Sequence, residues 1–478
     1  MPLPHLSPLL LVLLALMVLR RPPLQAALAG CSLALLLWAC GAAQPMQAPA
    51  LAAAALDTAV LLAITASVIV PGLVFVILIE GLGINQVLSQ SLQSLALPRP
   101  HQVLLVVLGL GPMLESLTGF GVSMVATIPL LLALFERQVA LRLAILGMGI
   151  MPWGTLGLAT VVGAPLAGLP AERLATDTVF TSAPVFLAIA TLSLWWTKAR
   201  DARAWLALAL CCLLFLAVLA ALSRFTGPEM AGVGAGLAVM VVLLAPSWAR
   251  RPGSGGAGLR AAMPYLVLIG CVLLLKGGVL LTQADGLWQV AGHAVVWKPL
   301  TSPGLALAAA SMGIAWRHPG LLRPPAGRPA LGQALRARAT RPLLTIAGFL
   351  ALSQIMVKGG FLDALTQALS ALSLAAAGPV VAALGALSGY LTGSTLGGNA
   401  IFMPAIGLLP ETARPLLAAL QNSGAGHAAM ASIPIAMVAL GLARGTREEE
   451  GALVRFGFLL ACLNTLLVAL AGLVALAL

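Results

Sequence analysis

Uninterrupted apolar runs of about 20 residues recur along the whole chain, and they limit the fold more than any other feature. The runs are continuous and rich in Leu and Ala, so they lack the alternation of a barrel strand. Charged residues make up 8% of the chain, whereas a soluble domain carries about a quarter. Because lipid offers the backbone no hydrogen bonds, only helices and closed barrels cross it. The sequence therefore predicts an all-α integral membrane protein.

The hydropathy pattern predicts about 12 transmembrane helices and two interrupted segments. The apolar regions 102–135 and 376–410 are interrupted by Gly and Pro, so each is predicted to be a broken or re-entrant segment. The predicted spans are 3–19, 24–41, 55–79, 139–168, 180–197, 204–222, 229–247, 263–283, 301–316, 342–358, 414–441 and 456–477.

The basic residues are distributed unevenly between the two sides of this topology. With the loop that contains Arg20 and Arg21 in the cytoplasm, 20 of the 26 Lys and Arg residues fall on the cytoplasmic side. This predicts a multi-pass protein of the cytoplasmic (inner) membrane of a bacterium. It also accounts for the net charge of +12 without a nucleic-acid partner. The six Cys residues lie in apolar runs without metal-ligand spacing, so no cofactor is predicted.

An internal repeat relates the two halves of the chain. The tripeptide Leu-Thr-Gly at 117–119 returns 274 residues later at 391–393. A proline follows each copy, Pro129 and Pro404, and a short polar turn comes next in both halves. The charge distribution places the stretch before the first copy inside and the stretch before the second copy outside. The sequence therefore predicts two repeats of inverted topology, a design typical of secondary transporters.

The repeat and the hydropathy pattern together divide the chain into four parts. Residues 1–54 are predicted to form an N-terminal two-helix extension, and 55–200 the first inverted repeat with its broken segment 102–135. Residues 201–341 are predicted to supply linking helices and a basic cytoplasmic loop at 317–341. Residues 342–478 form the second inverted repeat with its broken segment 376–410.

Two ionisable residues lie deep in apolar segments and are predicted to couple transport to protons. Glu115 lies well inside the apolar segment 102–135, where a charged carboxylate is costly and the protonated form is favoured. His427 is the only His deep in a predicted span, and a His can carry a proton near neutral pH. The alternatives are a Glu held neutral by hydrogen bonds to Ser116, Thr118 or the backbone and a His that is satisfied in the core.

Glycines and small polar residues around both Leu-Thr-Gly copies are predicted to bind substrate. Gly119 and Gly121 favour an interrupted helix, which frees backbone N–H groups that attract a carboxylate. The alternative is that small residues only let helices pack closely. The predicted substrate-binding residues are Ser116, Thr118, Gly119, Gly121, Thr392, Gly393, Ser394, Thr395, Asn399, Asn422 and Ser423.

At these residues the chain resembles the lactate permease family of proton-coupled monocarboxylate transporters. Residues 115–121 are similar to the family's Glu-Gly-x-x-Gly-Phe-Gly stretch. Residues 392–402 are similar to its Gly-Ser-Asp-Thr-Ser-Ser-Asn-Ala-Leu-Phe stretch, and 422–426 to its Asn-Ser-Ser-Gly-Gly run. Pro264-Tyr265 and Ser302-Pro303-Gly304 fit the family's middle region. The resemblance covers nearly the whole chain and implies symport of a proton with a small organic anion such as lactate or glycolate.

Two departures from the family pattern occur together. The family's Asp after Gly-Ser corresponds to Thr395, and its Lys after the Gly-Gly run corresponds to Met430. An acid and a base are lost at once, which is expected of partners because losing one alone strands a buried charge. We hypothesise that the two residues are partners in the family.

Three other functions compete with proton symport. A Na⁺-coupled carrier of a carboxylate or another anion would hold the ion on unwound backbone carbonyls. A membrane-embedded enzyme is disfavoured, since the chain has no His-Glu-x-x-His motif, metal-ligand cluster or nucleophile elbow. A passive channel is usually a symmetric oligomer around a shared pore, whereas this chain carries its own repeat. The predicted partners are a small organic anion, a proton and membrane lipid.

Overall fold

The described part of the chain is almost entirely helical. The computed structural model describes residues 3–42, 44–45, 47–93, 97–119, 121–198, 201–250, 256–322 and 329–477. Among these residues, ten helices are long and apolar enough to cross a membrane, and a helix pair bent by 52° raises the number to eleven. The all-α membrane fold is thus confirmed.

The α-helices are numbered in chain order, and two short strands, β1 and β2, form an antiparallel hairpin between α13 and α14. A π-helical turn, Leu105–Leu110, joins α5 to α6, and a 3₁₀ turn, Met151–Trp153, precedes α9. The bounds are α1 Leu3–Met17, α2 Pro23–Ala39, α3 Ala48–Gly81, α4 Ile84–Gln93, α5 Arg99–Leu104, α6 Gly111–Thr118, α7 Ser123–Leu134, α8 Arg137–Leu146, α9 Gly154–Leu166, α10 Ala171–Trp196, α11 Ala202–Phe225, α12 Pro228–Arg250, α13 Gly256–Thr282, β1 Val290–Ala291, β2 Val296–Trp297, α14 Pro303–Arg317, α15 Leu331–Lys358, α16 Asp363–Ser370, α17 Leu374–Thr392, α18 Thr395–Gly407, α19 Arg414–Ala429, α20 Ile433–Ala443 and α21 Arg447–Ala477.

The structure differs from the predicted spans in several places. The segment predicted as a single span at 139–168 is a helix pair bent by 52°, with Pro152 in the turn between its two helices. The span predicted at 414–441 is present as one candidate span, although its helix is interrupted at 430–432 between α19 and α20. Helices α1 and α2 have 15 and 17 residues, fewer than a typical span. The predicted loop at 317–341 is helical from Leu331 onward, and residues 323–328 of that loop lie outside the described residues.

The two halves share one order of elements. A long helix (α3 or α15) is followed by a short amphipathic helix (α4 or α16) and a broken segment (α6 and α7, or α17 and α18). A broken span (α8 and α9, or α19 and α20) and a second long helix (α10 or α21) complete each half. Each break that the repeated Leu-Thr-Gly tripeptide predicts is present in the structure.

The first helices of the two halves, α3 and α15, pack antiparallel. Asp57 near the start of α3 pairs with Lys358 at the end of α15, with 3.4 Å between the nearest charged atoms. Glu80 near the end of α3 pairs with Arg338 near the start of α15 at 2.8 Å. Equivalent helices that run in opposite directions are what inverted repeats require.

The N-terminal helices take part in the same symmetry. Helix α2 packs on α15, where the Cys31 thiol donates to the Gly348 carbonyl at 3.3 Å, and α14 packs on α3 through Ser67 and Ser302 at 3.1 Å. Helix α1 lies beside α16, as α13 lies beside α4. Helices α1 and α2 therefore occupy places equivalent to α13 and α14. The division of the chain into domains stays a prediction, and these contacts favour adding residues 1–54 to the first repeat.

Candidate functional site

Four helix interruptions meet around a cavity of about 220 Å³. Each half of the chain contributes two of them, one from its broken segment and one from its broken span. The lining residues are Glu115, Met151, Gly154, Thr155, Leu158, Ala159, Ile346, Gly393, Ser394, Thr395, Leu396, Pro434, Ile435 and Val438. The structure thus brings Glu115 together with three predicted residues of the second broken segment, Gly393, Ser394 and Thr395.

The Glu115 carboxylate has only neutral partners among the described residues. One oxygen, Oε2, accepts a hydrogen bond from the Ser123 hydroxyl at 2.7 Å. The other, Oε1, accepts from the Gly121 backbone N–H at 3.2 Å. The side chain is 1% exposed. Both contacts come from neutral donors, so no cationic side chain among the described residues balances a charge on this carboxyl group.

The backbone break after α6 depends on glycine. Gly119 has φ of 69° and ψ of −172°, a conformation essentially restricted to glycine. A Cβ at this position would lie 1.7 Å from the Thr155 hydroxyl oxygen. Gly121 also has positive φ, 75°, and Phe120 between them lies outside the described residues. The break therefore places the end of α6 in direct contact with the start of α9.

The start of α18 supplies backbone donors to the cavity. Gly393 takes the left-handed conformation with φ of 65° and ends α17. Ser394 then caps α18, because its hydroxyl accepts the Gly397 N–H at 3.3 Å. The remaining N–H groups of this first turn have no intrahelical partner, and the helix dipole is positive at this end. Ser394 and Thr395 thus lie at an N-terminus suited to a carboxylate.

A left-handed turn opposite α18 completes the cavity wall. Thr155, Leu156 and Gly157 all have positive φ, between 53° and 70°. A β-branched residue in this region is strained by about 1–3 kcal/mol. The Thr155 side chain is 8% exposed, lines the cavity and makes no hydrogen bond with another described residue. No local pattern in the predicted span 139–168 marks Thr155 as a residue of the site.

A comparison with known families decides what kind of protein this is. A family model described as L-lactate permease matches residues 3–253 and 292–478. The chain belongs to the L-lactate permease family. No curated protein matches the chain. Membership makes this permease a multi-pass membrane transporter of a small organic anion, in a family of transporters and not of enzymes.

The match confirms the resemblance seen in the sequence, with one exception in the middle of the chain. Residues 115–121, 392–402 and 422–426 all lie within the matched ranges, as do Ser302 to Gly304. Pro264 and Tyr265, which were expected to fit the family's middle region, lie in the unmatched stretch 254–291. Tyr265 instead donates its hydroxyl to Asn85 Oδ1 of α4 at 2.6 Å.

Eight of the eleven predicted substrate-binding residues of the permease lie outside the cavity lining, and three of these eight, Asn399, Asn422 and Ser423, hydrogen-bond to one another or to neighbouring helices. The Asn399 side-chain amide donates to Asn422 Oδ1 at 2.8 Å, which joins α18 to α19. The Asn422 amide donates in turn to Thr160 of α9 at 2.9 Å and Thr178 of α10 at 3.0 Å. Ser423 hydrogen-bonds to further hydroxyls on α10. These contacts make a polar seam between four helices, and a role in substrate binding stays a prediction.

Other predicted residues hydrogen-bond to the backbone, or pack against it, near the breaks. The Thr118 hydroxyl donates to the Leu114 carbonyl at 2.6 Å, and the Thr392 hydroxyl donates to the Ser388 carbonyl at 2.7 Å. The buried Ser116 hydroxyl faces Gly232 of α12, where a Cβ would lie 2.2 Å away. Their part in binding substrate stays a prediction.

His427 is buried away from the cavity lining. Its ring meets the Phe186 ring edge-on, with 5.5 Å between centroids. Neither ring nitrogen has a hydrogen-bond partner among the described residues. The predicted role of His427 in proton coupling stays a prediction.

Two ion pairs near the ends of the spans were missed from the sequence. Lys358 pairs with Asp57, which also accepts the His293 N–H at 2.6 Å. Lys276 likewise pairs with Glu229 at 2.7 Å. Both acids lie near the start of a predicted span, but no local pattern marked their partners. Among the described residues, Asp57 and Glu115 are the acids with fully buried side chains, and Asp57 has a cation partner whereas Glu115 has none.

Proposed function

We propose that the permease carries a small organic monocarboxylate of the lactate or glycolate type together with a proton. The observation that carries this proposal is the position of Glu115, a buried carboxyl without a cation partner in a cavity built from four helix breaks. A proton on Glu115 removes the charge that would repel an anionic substrate. Binding of proton and anion in the same cavity would therefore be mutually favourable.

The substrate carboxylate is proposed to bind at the start of α18. The first-turn N–H groups beside Ser394 and Thr395 offer donors without a full positive charge. A site without a fixed cation can release its anion once the proton leaves Glu115, which a transport cycle requires. The inverted repeats would then expose the cavity alternately to the two sides.

The permease is proposed to lie in the bacterial cytoplasmic membrane with Arg20 and Arg21 inside, as the charge distribution predicts. Large exposed apolar side chains, such as Leu281 and Phe225, would contact lipid there.

Uptake into proteoliposomes tests the proposal. Labelled lactate should accumulate when the outside is acidic, and Glu115→Gln should abolish this accumulation because an amide carries no proton. The same variant should still exchange internal for external lactate, since glutamine resembles the protonated acid. Glu80→Gln, which changes an acid outside the cavity lining, is the matched control and should keep accumulation.

Two results would contradict the proposal. Folded wild-type protein that takes up no lactate would contradict the substrate assignment. Accumulation that persists in Glu115→Gln would contradict the role of this carboxyl.

Sodium coupling is the second candidate, and one observation favours it. The side-chain oxygens of Asn399 and Gln421 are buried and have no hydrogen-bond partner among the described residues. Carboxamide oxygens are suitable ligands for a hard cation. Replacing Na⁺ by choline in the transport buffer distinguishes the two: a proton-coupled permease keeps its uptake, and a sodium-coupled one loses it.

A further inference from the structure

Two arginines and two glutamates occupy equivalent places in the inverted repeats. Arg137 is the first residue of α8, and Arg414 is the first residue of α19. Glu172 lies in the first turn of α10, and Glu449 lies in the first turn of α21. Both pairs of equivalent residues are 277 positions apart. An inverted repeat places the two sets at opposite surfaces of the membrane.

At the surface assigned to the cytoplasm, Arg137 of the first repeat clamps the second repeat. Its Nη2 donates to the Ala443 carbonyl at 2.8 Å and to the Arg444 carbonyl at 3.2 Å, at the end of α20. The same guanidinium forms a two-pronged ion pair with Glu449 at the start of α21. The Arg137 side chain of the first repeat thus binds three groups of the second repeat, namely two backbone carbonyls and one carboxylate.

At the opposite surface, the equivalent contact is not made. Arg414 donates twice to the Leu409 carbonyl of its own repeat, at 3.3 and 2.9 Å. It nevertheless lies beside Gly168, the left-handed residue that follows α9, where a Cβ would be 3.1 Å from Nη1. The Glu172 side chain is exposed, and no basic side chain among the described residues pairs with it. The parts of a second clamp are present but not joined.

The first helices of the two repeats do not show this asymmetry. The antiparallel pair α3 and α15 is closed at both ends, by Asp57 with Lys358 and by Glu80 with Arg338. These helices therefore form a frame that looks alike from the two surfaces. Helices α9 and α20 end in the two clamp regions, and both also line the cavity, through Leu158 and Val438 among others. Movement at a clamp would thus move a wall of the cavity.

We infer that the Arg137–Glu449 clamp closes the cytoplasmic side of the permease and that Arg414 and Glu172 form the matching clamp in the opposite conformation. The inference rests on the proposed alternating-access transport. In the opposite conformation, Arg414 turns from Leu409 to the end of α9 and to Glu172, while Arg137 releases α20 and Glu449. The two clamps are then closed in turn, one in each conformation.

Cysteine accessibility tests the clamps without any substrate. Val438→Cys is placed in the cavity wall of a full-length protein whose six native cysteines are replaced by alanine. A membrane-impermeant thiol reagent is then added to right-side-out or inside-out vesicles. Arg137→Ala should raise the labelling rate from the cytoplasmic side about fivefold, the population shift expected for loss of a partly exposed ion pair, and lower it from the outside. Arg414→Ala should shift labelling in the opposite direction.

Arg338→Ala is the matched control, since it breaks an ion pair at the same surface within the fixed frame, and it should leave both rates unchanged. Exchange of the two charges in Arg137→Glu with Glu449→Arg should restore the wild-type rates in part. Where Arg137→Ala does not fold, Glu449→Gln serves in its place. Unchanged labelling in these folded clamp variants, or an equal shift in Arg338→Ala, would overturn the inference. A labelling shift in protein that takes up no lactate would support the clamps and contradict only the proposed substrate.

Discussion

Alanine at Gly119 is expected to destabilise the permease more than alanine at Gly121. Both glycines have positive φ, 69° and 75°, so alanine costs about 1–2 kcal/mol in backbone energy at Gly121 and at least that much at Gly119, whose ψ of −172° lies in a region essentially restricted to glycine. At Gly119 the new Cβ would also lie 1.7 Å from the Thr155 hydroxyl oxygen. At Gly121 the nearest atom, Val438 Cγ1, is 3.5 Å away, which is an ordinary contact. Gly119 thus carries at least the backbone cost of Gly121 and, in addition, a packing overlap that Gly121 lacks.

The difference can be expressed as an energy. Relief of the overlap at Gly119 requires Thr155 or the chain around residue 119 to move, and such overpacking costs about 1–3 kcal/mol. The expected loss of stability is therefore about 2–5 kcal/mol for Gly119→Ala and about 1–2 kcal/mol for Gly121→Ala.

Thermal unfolding of the purified protein, followed by tryptophan fluorescence, measures this difference. Gly119→Ala should lower Tm at least twice as much as Gly121→Ala. Thr155→Gly should restore part of the loss in the Gly119→Ala background, because it removes the clashing hydroxyl and relieves a residue with φ of 53°. Equal losses of Tm in the two single variants, or no recovery in the double variant, would refute the reasoning.

Three further predictions concern buried polar groups. Lys358→Met should cost about 3 kcal/mol of stability because it strands the buried Asp57 carboxylate, and adding Asp57→Asn should recover part of that loss in the same unfolding assay. Thr395→Asp or Met430→Lys alone should lower the yield of folded protein more than both together, as measured by size-exclusion chromatography; equal yields would refute their partnership. Asn422→Ala should lower Tm and leave KM for lactate nearly unchanged, because its neighbours lose two donors and an acceptor. A large change of KM at unchanged Tm would instead favour a role in substrate binding.

Local sequence was enough to predict two of the four helix interruptions around the cavity, those at Gly119 and Gly393. Gly119 and Gly393 have positive φ, as their place in two copies of Leu-Thr-Gly suggested. Glu115 was recognised because a carboxyl in an apolar segment is costly wherever the chain folds. The repeat also predicted the order of elements in both halves. In each case the signal lies in a few neighbouring residues or in a copy of them.

Features that depend on distant contacts were not accessible in this way. The pairing of Asp57 with Lys358 joins residues 301 positions apart, and hydropathy treats each only as a charge near a span end. The left-handed Thr155 is imposed by its neighbours, since a β-branched residue does not favour this conformation. Helices α1 and α2 gave no sequence match to α13 and α14, and only their packing on α15 and α16 shows the equivalence.

The most direct test of the central claim is to measure proton movement itself. Proteoliposomes that contain a pH-sensitive dye should become more acidic inside when lactate is added outside, in step with the uptake of labelled lactate. Proton symport through Glu115 predicts that Glu115→Gln still exchanges lactate but produces no acidification. Acidification of the same size in Glu115→Gln and wild type would show that the proton crosses by another group, and would contradict a role of Glu115 in proton coupling.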